Sequence, residues 1–155
     1  MTKKDVSTLS KKVSVQPGNP QKRKYGNVPS GIYKSKLEQT CANLLVESEI
    51  DFEYEPWEVI LIDSFTFEYP SYERIGKEFK EQRAKLRKTS YKPDFIGDGW
   101  VIETKGKRTP DFQLKWKLFK RYLMENEQHL LLFMPTSKKE IVQSITVIKN
   151  LQNDK

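Results

Sequence analysis

Two short apolar segments joined by a glycine-rich turn constrain the fold of this chain more than any other feature. Residues 91–96 and 100–104 flank a Gly-Asp-Gly sequence, which predicts two antiparallel strands in a tight hairpin. Antiparallel pairing brings the open ends of both strands together, so Asp94 and Glu103 should lie side by side. Because strand side chains repeat every two residues, Lys105 should point to the same face as Glu103.

Two carboxylates and a lysine at one end of a hairpin suit chemistry on phosphate. Carboxylate oxygens are the ligands that Mg²⁺ and Mn²⁺ prefer, and both ions also accept phosphate oxygens. A neighbouring lysine can orient or deprotonate an attacking water. The alternative is a surface hairpin in which Asp94, Glu103 and Lys105 are solvated. Against it, the acids interrupt apolar runs, where an unpaired charge is costly. We therefore predict a Mg²⁺ site, with Mn²⁺ as a substitute, at Asp94 and Glu103.

A third acidic residue lies near the start of a predicted helix, residues 35–48. Leu37, Cys41 and Leu45 recur at helical spacing, and Glu38 lies at the edge of this apolar stripe. Ser35 followed by Glu38 is also the pattern of a capping box, which requires no catalytic role. Local sequence leaves both interpretations of Glu38 open.

The order of several motifs resembles the phage endonuclease I family of Holliday-junction resolvases, in the PD-(D/E)xK nuclease superfamily. The motifs are Ser-x-Leu-Glu at residues 35–38, Phe-Glu-Tyr-Glu-x-Trp at residues 52–57, and Pro-Asp-Phe followed by Glu-Thr-Lys-Gly at residues 93–106. The resemblance covers residues 34–107, with an interruption at residues 60–90. Several motifs in one order are far more specific than any single one.

This resemblance implies an α/β fold of the restriction-endonuclease type, with a mixed central sheet flanked by helices. It also implies Mg²⁺-dependent hydrolysis of DNA phosphodiester bonds in branched or four-way-junction DNA by a homodimer. Transferred residue by residue, Glu38 is the helix-borne acid, Asp94 and Glu103 bind the metal, Thr104 contributes its backbone carbonyl and Lys105 is the catalytic lysine. The alternatives are a general duplex or single-strand DNase of the same superfamily and a non-catalytic DNA-binding module.

The interruption carries an insertion at about residues 63–90, for which we predict a helical segment over residues 72–88. In the resembling family this region helps form the dimer, and this chain departs from the family pattern here. A helix would place Tyr72, Ile75 and Phe79 on one side, where they could form a homodimer contact. Its opposite side would be basic. The segment would then be either a DNA-gripping arm or a helix that covers the sheet.

Charge is segregated along the chain, although the formal net charge of +7 is modest. Residues 1–28, 77–92 and 105–121 each hold seven lysine or arginine residues against one or two acids. Three basic runs around one acidic site suit a polyanionic partner such as DNA. The predicted DNA contacts are Lys34, Lys36, Lys80, Arg83, Arg87, Lys107 and Arg108.

The chain should contain one nuclease domain, residues 31–155, after a basic tail, residues 1–30, whose composition predicts disorder. Further helices are expected at residues 111–125 and 138–152, and strands at 52–62 and 130–134. Neither a signal peptide nor a membrane-spanning run is present, so we expect a soluble intracellular protein, in the host cytoplasm if it is phage-encoded. The sequence has no glycine-rich phosphate loop, which argues against an ATP-driven motor.

Overall fold

The computed structural model describes residues 31–153, so the predicted tail, residues 1–30, lies outside the described part. These residues form three helices and ten short strands. The helices are α1 (Lys36–Glu47), α2 (Pro110–Glu125) and α3 (Lys138–Asn153). The strands are β1 (Glu53–Tyr54), β2 (Val59–Ile62), β3 (Phe65–Thr66), β4 (Ser71–Ile75), β5 (Glu78–Gln82), β6 (Lys85–Leu86), β7 (Thr89–Tyr91), β8 (Phe95–Gly97), β9 (Trp100–Ile102) and β10 (Leu131–Phe133).

The central sheet has four strands in the order β1-β8-β9-β10. Strand β8 pairs antiparallel with both β1 and β9, whereas β10 runs parallel to β9. Phe95 lies opposite Ile102, and Ile102 lies beside Phe133. The expected mixed α/β architecture, with parallel and antiparallel strands in one sheet, is therefore confirmed.

Helices cover the sheet through two apolar clusters. Residues of α1 and α3 pack against Phe95, Trp100 and Ile102 on one face. Phe112, Trp116 and Phe119 of α2 pack against Val59 and Tyr91, with Leu132 at the margin of this cluster. These three aromatic residues recur at helical spacing and are buried, as is typical of the core-facing side of a helix. Three of the four predicted helices, at residues 35–48, 111–125 and 138–152, are confirmed to within a few residues at each end.

The β8–β9 hairpin forms where the sequence predicts it. Gly99 adopts a φ of 81°, a left-handed conformation that glycine tolerates without steric cost. A Cβ atom at Gly97 would lie 2.2 Å from the Trp100 ring, so the indole can pack here only against glycine. The turn therefore fixes the register of β8 and β9, in which the first residue of β8 lies opposite the last residue of β9.

The predicted helix over residues 72–88 is wrong. Residues 59–91 instead form a long two-stranded antiparallel structure, which we call the ribbon. At its base β2 pairs with β7, farther out β3 pairs with β6, and at its tip β4 pairs with β5. A two-residue loop, Gly76-Lys77, reverses the chain at the tip, and Gly76 has a φ of 66°. Glycine with a positive φ at the first loop position is typical of a type II′ hairpin turn.

The ribbon also overturns the helical arrangement expected for its side chains. Directly opposed residues on antiparallel strands point to the same face. Phe79 pairs with Arg74 and lies diagonally from Tyr72, with the two aromatic ring centroids 6.2 Å apart. Ile75 pairs with Glu78, so it points to the other face. The three residues proposed as one apolar side of a helix therefore do not share a face.

The strand predicted over residues 52–62 is interrupted. It consists of β1 and β2, separated by residues 55–58, and Glu55 in this break adopts a φ of 43°. Because β1 joins the central sheet and β2 begins the ribbon, the break is where the chain leaves one for the other.

Within residues 31–153, none of the helices is both long enough and apolar enough to cross a membrane.

Candidate active site

The hairpin brings together the three residues that the sequence singles out. Asp94 immediately precedes β8 and Glu103 immediately follows β9, so the register of these strands sets the two residues opposite each other. The Nζ atom of Lys105 lies 3.7 Å from Oε1 of Glu103. The predicted neighbourhood of Asp94, Glu103 and Lys105 is thus present in the structure.

Asp94 is fixed by the residue that follows Glu103. Its Oδ2 atom accepts hydrogen bonds from the backbone N–H of Thr104, at 2.9 Å, and from the Thr104 hydroxyl, at 2.8 Å. Both bonds go to the same oxygen, and within the described residues Oδ1 accepts none. Thr104 therefore orients the carboxylate and leaves Oδ1 available for a ligand.

Glu103 is only 4% exposed and is held by a tyrosine from the base of the ribbon. The Tyr91 hydroxyl donates to Oε2 at 2.6 Å, which leaves Oε1 toward Lys105. The Tyr91 ring is itself fixed against Phe119, with ring centroids 4.8 Å apart. The Lys105 ammonium lies 4.2 Å from the centroid of the Phe112 ring, a distance at which a cation is attracted to the ring face.

Burial and the charges of neighbouring acids make both central carboxylates hard to ionise. Burial raises the pKa of Asp94 from 3.8 to about 6, partly opposed by the hydrogen bonds from Thr104, and the charges of Glu38 and Glu55 add to the increase. Burial raises the pKa of Glu103 from 4.5 to about 7, and the charge of Asp94 adds to this effect. Two adjacent acids with raised pKa values, Glu103 buried and Asp94 half-buried, form a site that a cation would stabilise.

Glu38 lies in α1, where it closes the capping box that its sequence allows. Its backbone N–H donates to the Ser35 hydroxyl oxygen at 3.1 Å, and the Ser35 hydroxyl donates back to Oε1 at 2.9 Å. Its Oε2 atom also accepts from the Lys34 backbone N–H at 3.0 Å and from the Tyr54 hydroxyl at 2.6 Å. The cap is therefore real, yet the side chain is buried and near enough to Asp94 to raise the pKa of that residue.

Glu55, in the break between β1 and β2, is linked directly to the site. Its backbone N–H donates to the Asp94 carbonyl at 2.8 Å, and its side chain forms an ion pair with Lys34. A positive φ in a non-glycine residue costs free energy and is concentrated at functional sites. The hydroxyl donors Tyr54 and Tyr91 were missed by sequence reasoning, because the pairing of a tyrosine with a distant acid has no local sequence signal.

The available ligands suit a small divalent cation. Within residues 31–153, no cluster of three Asp, Glu, His or Cys side chains is arranged as a ready-made metal site. The predicted ligand set does not need one, because it consists of two carboxylates and the backbone carbonyl of Thr104. Oxygen ligands of this number suit Mg²⁺, which keeps several waters when it binds to proteins. Asp94 and Glu103 supply the negative charge, and an oxygen of each is turned away from its hydrogen-bond donor.

The predicted DNA contacts fall into three groups. Lys107 and Arg108 are exposed in the loop that follows Lys105, and Lys36 is exposed at the start of α1. Lys34 pairs with Glu55 beside the site. On the ribbon, Lys80 pairs with Glu78 at 3.1 Å and Arg83 with Glu81 at 2.7 Å, whereas Arg87 is exposed. The groups nearest the acidic site are thus the loop and the start of α1.

The raised pKa values predict that the metal-free protein loses stability as pH rises. The folded state holds protons on Asp94 and Glu103 at pH values where the unfolded state has already released them. The contribution of these two groups to the free energy of unfolding is therefore fully present at low pH and is lost as pH rises through about 6 and about 7. Asp94→Asn removes one of these ionisations. In EDTA, the melting temperature of Asp94→Asn minus that of wild type should increase by on the order of 5 °C between about pH 5 and about pH 8.

Asp111→Asn is the matched control for this measurement, because Asp111 is an exposed carboxylate in an ion pair with Lys115 at 3.3 Å. Its melting temperature relative to wild type should stay constant over the same pH range. Adding Mg²⁺ at the higher pH should stabilise wild type more than Asp94→Asn. If the Asp94→Asn and Asp111→Asn profiles coincide, the Asp94 carboxyl does not titrate abnormally.

Comparison of the chain with protein-family models, with curated proteins and with solved structures gave no significant match.

Proposed function

We propose that this protein is a metal-dependent endodeoxyribonuclease of the PD-(D/E)xK type, with a restriction-endonuclease-like arrangement of its sheet and helices. The observation that carries the proposal is the pair of half-buried Asp94 and buried Glu103 at the end of one hairpin, with Lys105 beside it. A structural ion pair would match each buried acid with a base. Here burial and neighbouring acidic charges raise the pKa of both residues, and one partly exposed lysine stands near only Glu103.

Asp94 and Glu103, with the Thr104 carbonyl, would hold Mg²⁺ or Mn²⁺. When bound, such an ion supplies Lewis-acid stabilisation of the negative charge that develops on the phosphate. The protein's own contribution is to hold the ligands in advance. Thr104 fixes Asp94 through Oδ2, and Tyr91 fixes Glu103 through Oε2, so neither carboxylate must reorient when substrate arrives.

Lys105 is the candidate for work on the attacking water. Its ammonium is positioned by Glu103 and by the Phe112 ring, and its side chain remains 29% exposed, so solvent and substrate can reach it. In this position it can orient the water by hydrogen bonding and balance the charge on the phosphate. Glu38, on the neighbouring helix, would act as a further acid in the same cluster.

The substrate class follows from charge and from the resemblance to junction resolvases. Exposed Lys107 and Arg108 continue directly from the catalytic strand, where they can contact the phosphates next to the scissile bond. The motif order at residues 34–107 resembles enzymes that act on branched duplexes. We therefore propose four-way-junction DNA as the preferred substrate and a homodimer as the active species.

A cleavage assay with matched substrates tests this proposal. The full chain should cut a four-way junction in the presence of Mg²⁺ or Mn²⁺, more rapidly than a linear duplex or a single strand of the same sequence. EDTA should abolish cleavage. Equal cleavage of junction and linear duplex would make the protein a general DNase and would reject junction preference. Binding of DNA without cleavage of any substrate would leave a non-catalytic DNA-binding module.

A further inference from the structure

The tip of the ribbon is an exposed sheet with uncovered edges. Within the described residues, β4 and β5 form strand pairs only with each other. Phe79 is 73% exposed and Tyr72 is 59% exposed, although both are large aromatic residues on the same face. A two-stranded hairpin without a packed face is at best marginally stable in water, and free strand edges are templates for pairing with another chain. The tip is thus suited to a protein contact.

The charge of the tip argues against nucleic acid as its partner. Residues 71–82 carry three basic and three acidic side chains, so this part of the ribbon has no net charge. Lys80 is neutralised on its own face, because it pairs with Glu78 at 3.1 Å and lies directly opposite Glu73. A polyanion would meet as many acids as bases here. The partner should instead offer alternating charge and an apolar group.

Residues 77–81, which include most of β5, are complementary in charge to a second copy of the same segment running in the opposite direction. Moving outward from Phe79, Lys80 and Glu81 follow on one side, and Glu78 and Lys77 precede on the other. Reversing the strand direction therefore exchanges every acid for a base. We propose that a second copy of this chain pairs antiparallel with the outer edge of β5, about a two-fold axis at Phe79, so that the two ribbons form a four-stranded sheet.

This register places opposite charges together. Within β5, Glu78 would lie opposite Lys80 of the second copy, and Lys77, in the turn just before β5, would lie toward Glu81 of the second copy. Each pair is separated by an even number of residues, as a two-fold axis perpendicular to a sheet requires, since opposed residues must share a face. The two Phe79 rings would meet at the axis, flanked by the Tyr72 rings 6.2 Å away within each copy.

The outer edge of β4 does not offer the same match. A two-fold axis at Glu73 would set two acids opposite each other, and an axis at Arg74 would set two bases opposite each other. Like charges directly opposite on paired strands are unfavourable. The charge pattern therefore selects β5, and it does so independently of the proposed nuclease activity.

Exchange of charge within β5 tests the proposal on the full chain. Light scattering and sedimentation equilibrium at micromolar concentration should show a wild-type dimer. Glu78→Lys places lysines opposite each other at both positions, and Lys80→Glu places glutamates there, so each variant should self-associate at least about tenfold more weakly. An equimolar mixture of the two variants restores opposite charges at both positions and should form a heterodimer of wild-type strength.

Glu68→Lys and Lys85→Glu are matched controls, because they make the same charge changes at exposed ribbon positions outside β5. Both should dimerise like wild type. Phe79→Lys, which sets two cations on the axis, should be monomeric and should not be rescued by mixing with either β5 variant. Circular dichroism verifies folding of every variant. A monomeric wild type, or a mixture of Glu78→Lys and Lys80→Glu that remains monomeric, would overturn the proposal, whatever the outcome of the cleavage assays.

Discussion

Asp94→Asn, Glu103→Gln and Lys105→Ala should each reduce DNA cleavage by several orders of magnitude. The first two substitutions remove the negative charge of a metal ligand with little change in side-chain volume. The third removes the cation beside the attacking water. Loss of general acid–base assistance alone lowers rates by roughly 10²–10⁴-fold, and loss of metal affinity should add to the effect of the carboxylate substitutions. Cleavage of a labelled four-way junction under single-turnover conditions measures the loss.

The surface ion pair of Asp111 and Lys115 provides controls of the same chemistry. Asp111→Asn and Lys115→Ala alter a carboxylate and an ammonium that are 3.3 Å apart on α2. An exposed pair of this kind contributes little to stability, so both variants should cut at the wild-type rate. DNA binding in EDTA should survive in all five variants. Wild-type cleavage by all three site variants would show that the proposed site is wrong.

Much of this site could be predicted from sequence because its geometry is local. Eight residues lie between Asp94 and Glu103, and a hairpin with a glycine-rich turn among them leaves few possible registers. The alternation of strand side chains then determines where Lys105 points. The capping box at Ser35 and Glu38 is local in the same sense, and both sequence interpretations of Glu38 are compatible with the structure.

The groups that orient the acids could not be found in this way. Tyr54 reaches Glu38 across 16 residues, and Tyr91 reaches Glu103 across 12, so both contacts depend on how separate elements pack. The break of the strand at Glu55 has the same origin. It is needed only because the chain passes there from the central sheet to the ribbon.

The helix predicted for the insertion was wrong because the spacing of its apolar residues fits a helix as well as a strand hairpin. Ile75 and Phe79 are four residues apart, as on a helix, but a turn at Gly76 sets them on opposite strands. Just before this segment, Phe65, Phe67 and Tyr69 alternate, and aromatic residues at every second position favour a strand; Phe65 does lie in β3. Gly76 followed by the polar Lys77, between two segments that can form strands, is a hairpin signal, and here it outweighs the helical spacing of Ile75 and Phe79.

Glu38→Gln should separate a catalytic role of Glu38 from its role in the helix cap. Glutamine can still accept a hydrogen bond through its amide oxygen, and the neighbouring Ser35 and Tyr54 hydroxyls can rotate to accept from its amide nitrogen. The cost in stability should therefore be at most that of a lost cap, about 0.5–2 kcal/mol. The negative charge near Asp94 is removed completely, so junction cleavage should fall by several orders of magnitude. Thermal unfolding and single-turnover cleavage measure the two effects on the same sample.

Ser35→Ala is the complementary variant, because it breaks the cap and leaves the Glu38 charge in place. Ser35 accepts from the Glu38 backbone and donates to its side chain, so this substitution should destabilise the protein by about 0.5–2 kcal/mol. Cleavage at a temperature where the variant is folded should remain within about tenfold of wild type, since the Glu38 carboxylate keeps its charge, loses one hydrogen bond and retains two others. A catalytic Glu38 thus predicts opposite outcomes for the two substitutions: Glu38→Gln folded but inactive, Ser35→Ala less stable but active. Full activity of Glu38→Gln would restrict Glu38 to the cap, and the acidic site would then consist of Asp94 and Glu103 alone.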